Sequence, residues 1–325
     1  MSVSQKQLAR ELGVSVATIS RVLNGKDNIA EDTRRRVEAA LRESGYFPDP
    51  AARSLKTRRT HTVGILVPDI TEVLFGSIIK RATRTLEASG YGAILCDSDE
   101  KQVQERYYLD YLTSRRVDGL ILASLGAEPQ RLIELKQSGI ALVQIDNLVT
   151  EAADAVLIDN VRAGERGIER LVSRGRKRIG VIAGNQKEYT GRKRLEGCIR
   201  AAKRLGAALE IREGDFKENA GRAAIESLLD APQRPDAVFI HSSKMTYGAL
   251  SVLRERGIVY PRDIGILGFD VRDPYGIVMP PLSSIVQPEA DIGEQAANRL
   301  VAAIEGKSLP QTAFMQPELL ERDSE

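Results

Sequence analysis

The chain has 325 residues, of which 42% are apolar and 28% charged, and its formal net charge is +2. This composition excludes wholesale disorder, and the sequence has no apolar run near the ~18 residues that a membrane span needs. Two cysteines are too few for a disulfide framework or a cysteine-only zinc site, so we expect about two globular domains in a reducing, cytoplasmic compartment, with no membrane contact.

Positive charge is concentrated at the N-terminal end of the chain. Residues 1–60 contain 12 Lys and Arg against 7 Asp and Glu, whereas the remaining residues contain 35 against 38. A small basic region ahead of a larger, mildly acidic one is typical of a nucleic-acid-binding module joined to a second function. A solvated basic helix would give the same charge, so charge alone does not decide between the two.

Three short helices are predicted in residues 4–46. Ser4 can cap the start of the first, and Gly13 ends it because glycine tolerates the left-handed conformation. Ser15 can cap the second, and the third spans about Glu31–Ser44, where acidic residues suit the positive end of the helix. Two short helices joined by so short a turn form a helix-turn-helix, whose second helix enters the major groove of DNA. A plain helical hairpin would show the same spacing.

The outer face of the second helix favours DNA over a plain hairpin. It carries small and polar side chains, which allow a helix backbone to approach base edges closely. Arg21 can reach either a guanine edge or a phosphate. The predicted DNA-contacting residues of this region are Ser15, Val16, Ala17, Thr18, Ser20, Arg21 and Asn24.

A proline-flanked basic segment follows this head. Pro50 suits a helix start, and Ala51–Leu55 could form about one helical turn, which is marginal alone because helix nucleation is costly. A flexible linker is the alternative. We expect a head at 1–47, a hinge at 48–60 and a body at 61–325.

In the body, short apolar runs alternate with helical stretches. Such alternation indicates an α/β fold with parallel sheets that are covered by helices on both faces. The predicted strands are Val63–Val67, Ala93–Cys96, Gly119–Ala123, Ala141–Ile145, Ala155–Ile158, Ile179–Ala183, Ala237–Ile240 and Gly265–Phe269.

The motifs GVSVATISRVLNG, TRRRV, GYFPD and ARSLK occur in this order, followed in the body by VLIDN, RLEGC, YGAL, DIGILGFD and PPLSSIVQP. Together they resemble the lac repressor/galactose repressor (LacI/GalR) family along the whole chain. One departure is Ala30, where the family usually has a serine or threonine that caps the third helix.

The resemblance implies a helix-turn-helix head and a doubly wound body like that of periplasmic sugar-binding proteins. The body would have two subdomains at roughly 61–160 and 161–290, with crossover segments near 159–163 and 285–325. It also implies a homodimer on a near-palindromic operator and a hinge helix that folds on DNA. Leu55 would then wedge into the minor groove, with Arg53 and Lys56 nearby.

Acidic residues follow several predicted strands, where ligands bind in open α/β sheets. An aspartate there is also a common helix cap or turn residue, and core packing is the alternative for the two phenylalanines. By the resemblance, Asp159 and Asp270 would accept hydrogen bonds from an effector, Arg194 would donate two, and Phe216 would stack on it. The predicted effector-binding residues are Leu74, Phe75, Asp97, Asp146, Asp159, Thr190, Arg194, Phe216, Ser243 and Asp270.

The sequence leaves the effector open among a sugar, a sugar phosphate and a sugar acid. Ser243-Lys244 stands where the family often has Asn-Asp, and Cys198 where it commonly has Phe. Arg192, Arg194 and Lys244 near one cleft could suit an anionic ligand, although solvated surface charge explains Arg192 and Lys244 equally well.

Two other function classes are weaker. The chain has two histidines and no HExxH, CxxC, GxSxG or P-loop motif, so we expect no enzyme, no metal site and no cofactor. His241-Ser242-Ser243 lacks an identifiable third group that would make it a catalytic set. A free-standing periplasmic binding protein would need a signal peptide, which MSVSQKQLAR does not resemble, and would not need the basic head.

Overall fold

The computed structural model describes residues 4–23, 29–44, 59–126, 128–273, 276–307 and 310–325. The chain divides into two compact units, Met1–Thr60 and His61–Glu325. No helix in the described ranges combines the length and the apolar character needed to cross a membrane.

The described part of the first unit contains three helices: α1 (Gln5–Leu12), α2 (Val16–Leu23) and α3 (Glu31–Glu43). Leu8, Ile19 and Val37, one from each helix, are at most 1% exposed and form the centre of a small core. The apolar spacing predicted from the sequence therefore brings the three helices together.

The predicted start and end of α1 and the predicted start of α2 are confirmed. The Ser4 hydroxyl accepts a hydrogen bond from the backbone N–H of Gln7 at 3.3 Å, and Gly13 ends α1 with φ of 65°. The Ser15 hydroxyl accepts one from the N–H of Thr18 at 3.0 Å. Ala30 precedes α3 and has no side-chain oxygen to offer, so the first turn of α3 has no such cap.

We expect Ala30→Ser to stabilise α3 by about 1 kcal/mol, because a serine hydroxyl can accept a hydrogen bond from a first-turn N–H. Hydrogen exchange of the α3 amides in the full chain should slow about fivefold. The same substitution at Ala39, inside α3, should speed exchange, since serine is less favourable than alanine in a helix interior. Equal effects at the two positions would contradict the capping explanation.

The second unit contains two six-stranded sheets, each of which forms the centre of one lobe. The first sheet has the order β11-β5-β4-β3-β1-β2, and all its neighbours are parallel. Its strands are β1 (Thr62–Val67), β2 (Gly92–Asp97), β3 (Gly119–Leu122), β4 (Ala141–Ile145), β5 (Asp154–Ile158) and β11 (Thr312–Met315).

The second sheet has the order β12-β10-β9-β8-β6-β7 and is parallel except for β12, which runs antiparallel to β10. Its strands are β6 (Arg178–Ala183), β7 (Ala208–Glu213), β8 (Ala237–Ile240), β9 (Gly265–Phe269), β10 (Ser283–Val286) and β12 (Glu318–Leu320).

Helices cover both faces of each sheet, which confirms the predicted doubly wound α/β class. The first lobe has α4 (Val73–Ala88) and α11 (Glu289–Ile304) on one face and α5 (Gln102–Ser114) and α6 (Pro129–Gln137) on the other. The second has α7 (Asn160–Ser173) and α8 (Tyr189–Leu205) opposite α9 (Glu218–Leu229) and α10 (Ser243–Glu255). Burial of the apolar strands between helices drives this layering.

In the described residues the chain passes between the lobes three times, at Asp159, at Gln287–Pro288 and at Gln316–Pro317. The crossings lie side by side: the N–H of Asp159 donates to the carbonyl of Met315 at 2.8 Å, and Val286 pairs with Glu318. The space between the lobes is thus closed along one edge by backbone.

Candidate functional site

The exposed face of α2 is the first candidate site. Ser15, Val16, Ala17 and Arg21 are exposed and Thr18 and Ser20 half-buried, while Ile19 and Val22 point into the core. The small and polar side chains thus lie on the outer surface, as a groove-reading helix requires. Four predicted DNA contacts lie outside the described residues: Asn24, Arg53, Leu55 and Lys56.

The second candidate site is a cavity of about 460 Å³ at the carboxyl ends of the body's strands, lined by both lobes. Eight of the ten predicted effector-binding residues line it: Leu74, Phe75, Asp146, Thr190, Arg194, Phe216, Ser243 and Asp270. Phe75 is only 4% exposed and also belongs to the core of the first lobe.

Asp97 and Asp159 do not line the cavity. The carboxylate of Asp97 accepts hydrogen bonds from the N–H groups of Ile70 and Asp99, at 3.2 and 2.7 Å, and so shapes the loop after β2. That of Asp159 accepts one from the N–H of Arg162 at 2.9 Å and caps α7. Both carboxylates accept hydrogen bonds from backbone N–H groups, as a helix cap or turn residue does, which is the alternative to ligand contact that the sequence left open.

Arg194 is buried at the base of the cavity and held by the second lobe. Its Nε and Nη2 donate to Oδ1 of Asn160 at 3.1 and 2.8 Å, and its Nη1 donates to the carbonyl of His241. The guanidinium lies 3.3 Å from the ring centre of Phe269. Burial lowers the pKa of Arg194 to about 10, so the group stays cationic at neutral pH.

Four cavity residues have backbones in the left-handed region, which is strained for residues other than glycine. They are Glu100, Asp146, Phe216 and Asp270, with φ of 53°, 63°, 68° and 53°. Strain of this kind costs of order 1–3 kcal/mol per residue and clusters at functional sites. Gly184 accommodates one of them, because a Cβ there would lie 2.0 Å from the ring of Phe216.

Asp146 and Asp270 differ in the hydrogen bonds that their carboxylates accept. Asp270 accepts hydrogen bonds from the backbone N–H and side-chain Nε2 of Gln287, at 3.0 and 2.7 Å. The carboxylate of Asp146 accepts none from the part of the chain that the structure describes, and its backbone carbonyl accepts one from Thr190 Oγ1 at 2.7 Å. Asp146 therefore offers an unoccupied acceptor to a ligand.

The structure brings one set of charges together that sequence reasoning missed. Lys244 Nζ lies 2.7 Å from Asp69, 3.2 Å from Glu72 and 2.6 Å from Glu100. The lysine belongs to the second lobe and the three carboxylates to the first, so the cluster spans the cleft. Oxygens of the three acids lie within 4.8 Å of one another, close enough to hold a metal ion, and the ammonium group supplies a cation there.

The suggestion that Arg192 and Lys244 provide charge for an anionic ligand is not supported by their surroundings. Arg192 is exposed, does not line the cavity and donates to the carbonyl of Lys187 at 2.7 Å. Lys244 lines the cavity but is paired with three carboxylates.

A second contact across the cleft involves Asn147. Its Nδ2 donates to Glu188 at 3.2 Å, and its Oδ1 accepts from the N–H of Thr190 at 3.2 Å. Neither Asn147 nor Glu188 was predicted as a site residue, since their pairing depends on the closure of the two lobes.

Asp146 makes the body sensitive to pH. Burial raises its pKa to about 7, and the negative charge of Glu188 adds to the shift. Glu72 and Asp270 act in the same direction, whereas Arg194 opposes it. The folded state therefore retains a proton on Asp146 that the unfolded state loses, so the contribution of Asp146 to stability falls as pH rises from about 4 to about 7.

We expect Asp146→Asn to remove part of this loss of folding stability with rising pH. In urea unfolding followed by circular dichroism, the variant should gain stability relative to the wild type between pH 5 and pH 8. Asparagine has nearly the same volume as aspartate, so packing stays unchanged and the difference in stability reports on the proton of Asp146. A stability difference that is independent of pH would show that Asp146 titrates normally.

Comparison with known proteins identifies the family. Residues 6–49 match the family described as bacterial regulatory proteins, lacI family, and residues 60–317 match periplasmic binding proteins and sugar binding domain of LacI family. The chain is 34% identical to the HTH-type transcriptional repressor CytR of Escherichia coli (strain K12), over 99% of this chain and 96% of the relative. It is 32% identical to the ribose operon repressor of the same organism, over 99% of each chain.

Solved structures agree with this assignment. The transcriptional regulator CelR–cellobiose complex is 30% identical, with a TM-score of 0.76 over 99% of each chain. The lac repressor dimer bound to operator and the anti-inducer ONPF shares the fold, with a TM-score of 0.86 over 100% of this chain and 99% of that one, at 23% identity. The predicted family resemblance and the interpretation as a regulator rather than an enzyme are confirmed. The chain belongs to the LacI family of bacterial regulatory proteins.

Proposed function

We propose that this chain is a cytoplasmic repressor that binds a near-palindromic operator as a homodimer. A hydroxyl-rich small molecule that enters the cleft of the body raises or lowers its affinity for the operator. The observation that carries the proposal is the cavity itself. It places an unoccupied carboxylate, Asp146, and a buried guanidinium, Arg194, between two lobes of a chain whose head exposes a groove-reading helix.

The head is assigned to 1–47, the hinge to 48–60 and the body to 61–325. The exposed residues of α2 contact base edges and phosphates in the major groove. In the hinge, Leu55 acts as an apolar wedge that unstacks a central base step, with Arg53 and Lys56 beside it. Two copies are needed because a near-palindromic operator presents two half-sites.

In the body, the effector bridges the lobes. Asp146, Leu74 and Phe75 contact it from the first lobe, while Arg194 and Phe216 contact it from the second. The solved CelR relative holds cellobiose, which supports a sugar or similar polyol as the ligand class. A ligand that touches both lobes favours one relative position of the lobes and so shifts operator affinity; the coupling must be reciprocal.

Selection of operator DNA from a random pool by the full-length protein tests the proposal. We expect a near-palindromic sequence whose affinity exceeds that of non-specific DNA by at least about 1,000-fold and falls steeply with salt, because phosphate contacts release counterions. Adding sugars singly should then identify one that changes operator affinity. Failure to enrich any sequence would overturn the proposal.

A further inference from the structure

We propose that the cleft selects an uncharged or amine-bearing polyol and excludes anionic ligands such as sugar phosphates and sugar acids. The inference rests on the proposed function, because it concerns the ligand class of the same cavity. It follows from the ion pairs and hydrogen bonds that the charged groups of the cavity form.

Acidic side chains outnumber basic ones in the cavity lining. Six carboxylates face four cationic groups among the described lining residues. The acids are Glu72, Glu100, Asp146, Glu188, Asp215 and Asp270, and the basic residues are Arg194, Lys217, Lys244 and Arg272.

Lys244 is not free to receive an anion. Its ammonium pairs with three carboxylates, Asp69, Glu72 and Glu100, at 2.6–3.2 Å, and its side chain is 29% exposed. These neighbours raise its pKa, so it stays charged, and their summed negative charge exceeds its own. A ligand phosphate approaching Lys244 would meet net negative charge.

Of the other cations, Arg272 is also committed to partners and Lys217 is screened by solvent. Arg272 forms an ion pair with Glu289 and donates to the backbone carbonyl of Gln287. Lys217 is exposed, so water screens its charge. Arg194 is thus the buried cation that remains for a ligand.

Arg194 shares the cavity lining with three acids, Asp146, Glu188 and Asp270, which outnumber it. No ion pair within 4.0 Å involves Asp146, Glu188 or Asp270 in the described residues, so these acids lack a cationic contact partner. Glu188 accepts hydrogen bonds from the amides of Asn147 and Asn185 instead, at 3.2 and 2.9 Å. Hydroxyl and ammonium groups can donate to such acids, whereas phosphate and carboxylate groups only repel them.

Matched ligands that differ in one charged group test the inference with the full-length protein. Three sets serve: ribose with ribose 5-phosphate; glucose with glucosamine, glucose 6-phosphate and glucuronate; and cellobiose with cellobionate. Isothermal titration calorimetry at pH 7.5 measures each affinity. In each set that contains a binder, we expect the anionic member to bind at least about tenfold more weakly than its neutral counterpart.

Lys244→Met probes the proposed role of the cluster. Methionine keeps the side-chain length but releases three carboxylates, so the preference for glucosamine over glucose 6-phosphate should increase severalfold. Arg192→Met, on the exposed surface outside the cavity, should leave the preference unchanged. Circular dichroism verifies that both variants are folded.

The outcomes separate the two proposals. An anionic ligand that binds as tightly as its neutral counterpart, or a preference that does not change in Lys244→Met, overturns the inference and leaves the proposed function standing. No binding by any member of the three sets, in a protein that selects an operator, counts against a polyol effector and therefore against both.

Discussion

Arg194→Ala should abolish the response of operator binding to the effector while leaving the operator affinity of the ligand-free protein within about twofold. The guanidinium is the buried cation that can donate to a ligand, and it is fixed by Asn160 and His241. Charge-assisted hydrogen bonds contribute about 1.5–3 kcal/mol each, so the loss of two should weaken effector binding by 100-fold or more.

Fluorescence anisotropy of labelled operator, titrated with effector, measures this effect. Arg194→Lys keeps a positive charge but loses the planar fork, so it should restore only part of the response. Arg192→Ala, two residues earlier on the same helix and exposed, should respond like the wild type. A normal response in Arg194→Ala would remove this residue from the ligand site.

Ala17→Glu should weaken specific operator binding by about 100-fold or more without unfolding the head. Ala17 is exposed near the start of α2, where glutamate is a good helix former and its charge favours the positive helix end. The substitution therefore spares the helix but places a negative charge and a longer side chain on the face proposed to meet DNA.

Ala17→Gln separates the two causes, because glutamine has the same size without the charge. It should weaken specific binding less than glutamate does and leave binding to non-specific DNA almost unchanged. Both variants should respond normally to ligand in calorimetry, since the cleft is untouched. Wild-type operator affinity in Ala17→Glu would exclude this face of α2 as the DNA-reading surface.

Eight strands could be predicted because each contains a continuous apolar run, and seven of them are buried between helices, whereas the edge strand β2 is largely exposed. The four strands that were missed lack this pattern. In β7, exposed and half-buried residues mix along an edge strand, as in Glu210, Ile211 and Arg212. In β10, Ser283 and Ser284 are fully buried but find partners: Ser283 Oγ donates to the carbonyl of Arg322, and Ser284 Oγ accepts from the N–H of Val271.

The candidate site was predictable where chemistry follows local position. Aspartates at strand ends indicated Asp146 and Asp270, and the family motif indicated Arg194. The same rule also selected Asp97 and Asp159, because the sequence does not distinguish a carboxylate that accepts backbone N–H groups from one that faces a ligand. The cluster around Lys244 could not be predicted, since its acids lie in loops more than 140 residues away in the chain.

The three neighbouring crossings between the lobes restrict how the body can move. Adjacent backbone segments that are joined by hydrogen bonds form a hinge. We expect such a hinge to favour rotation of one lobe relative to the other about one axis over twisting or sliding. The carboxylate of Asp270 accepts two hydrogen bonds from Gln287 in one of these segments, so a cavity residue is part of the hinge. We therefore expect an effector that binds between the lobes to act through the angle between them. Side chains of the cavity can then change to suit a new ligand while the transmission of the signal stays the same.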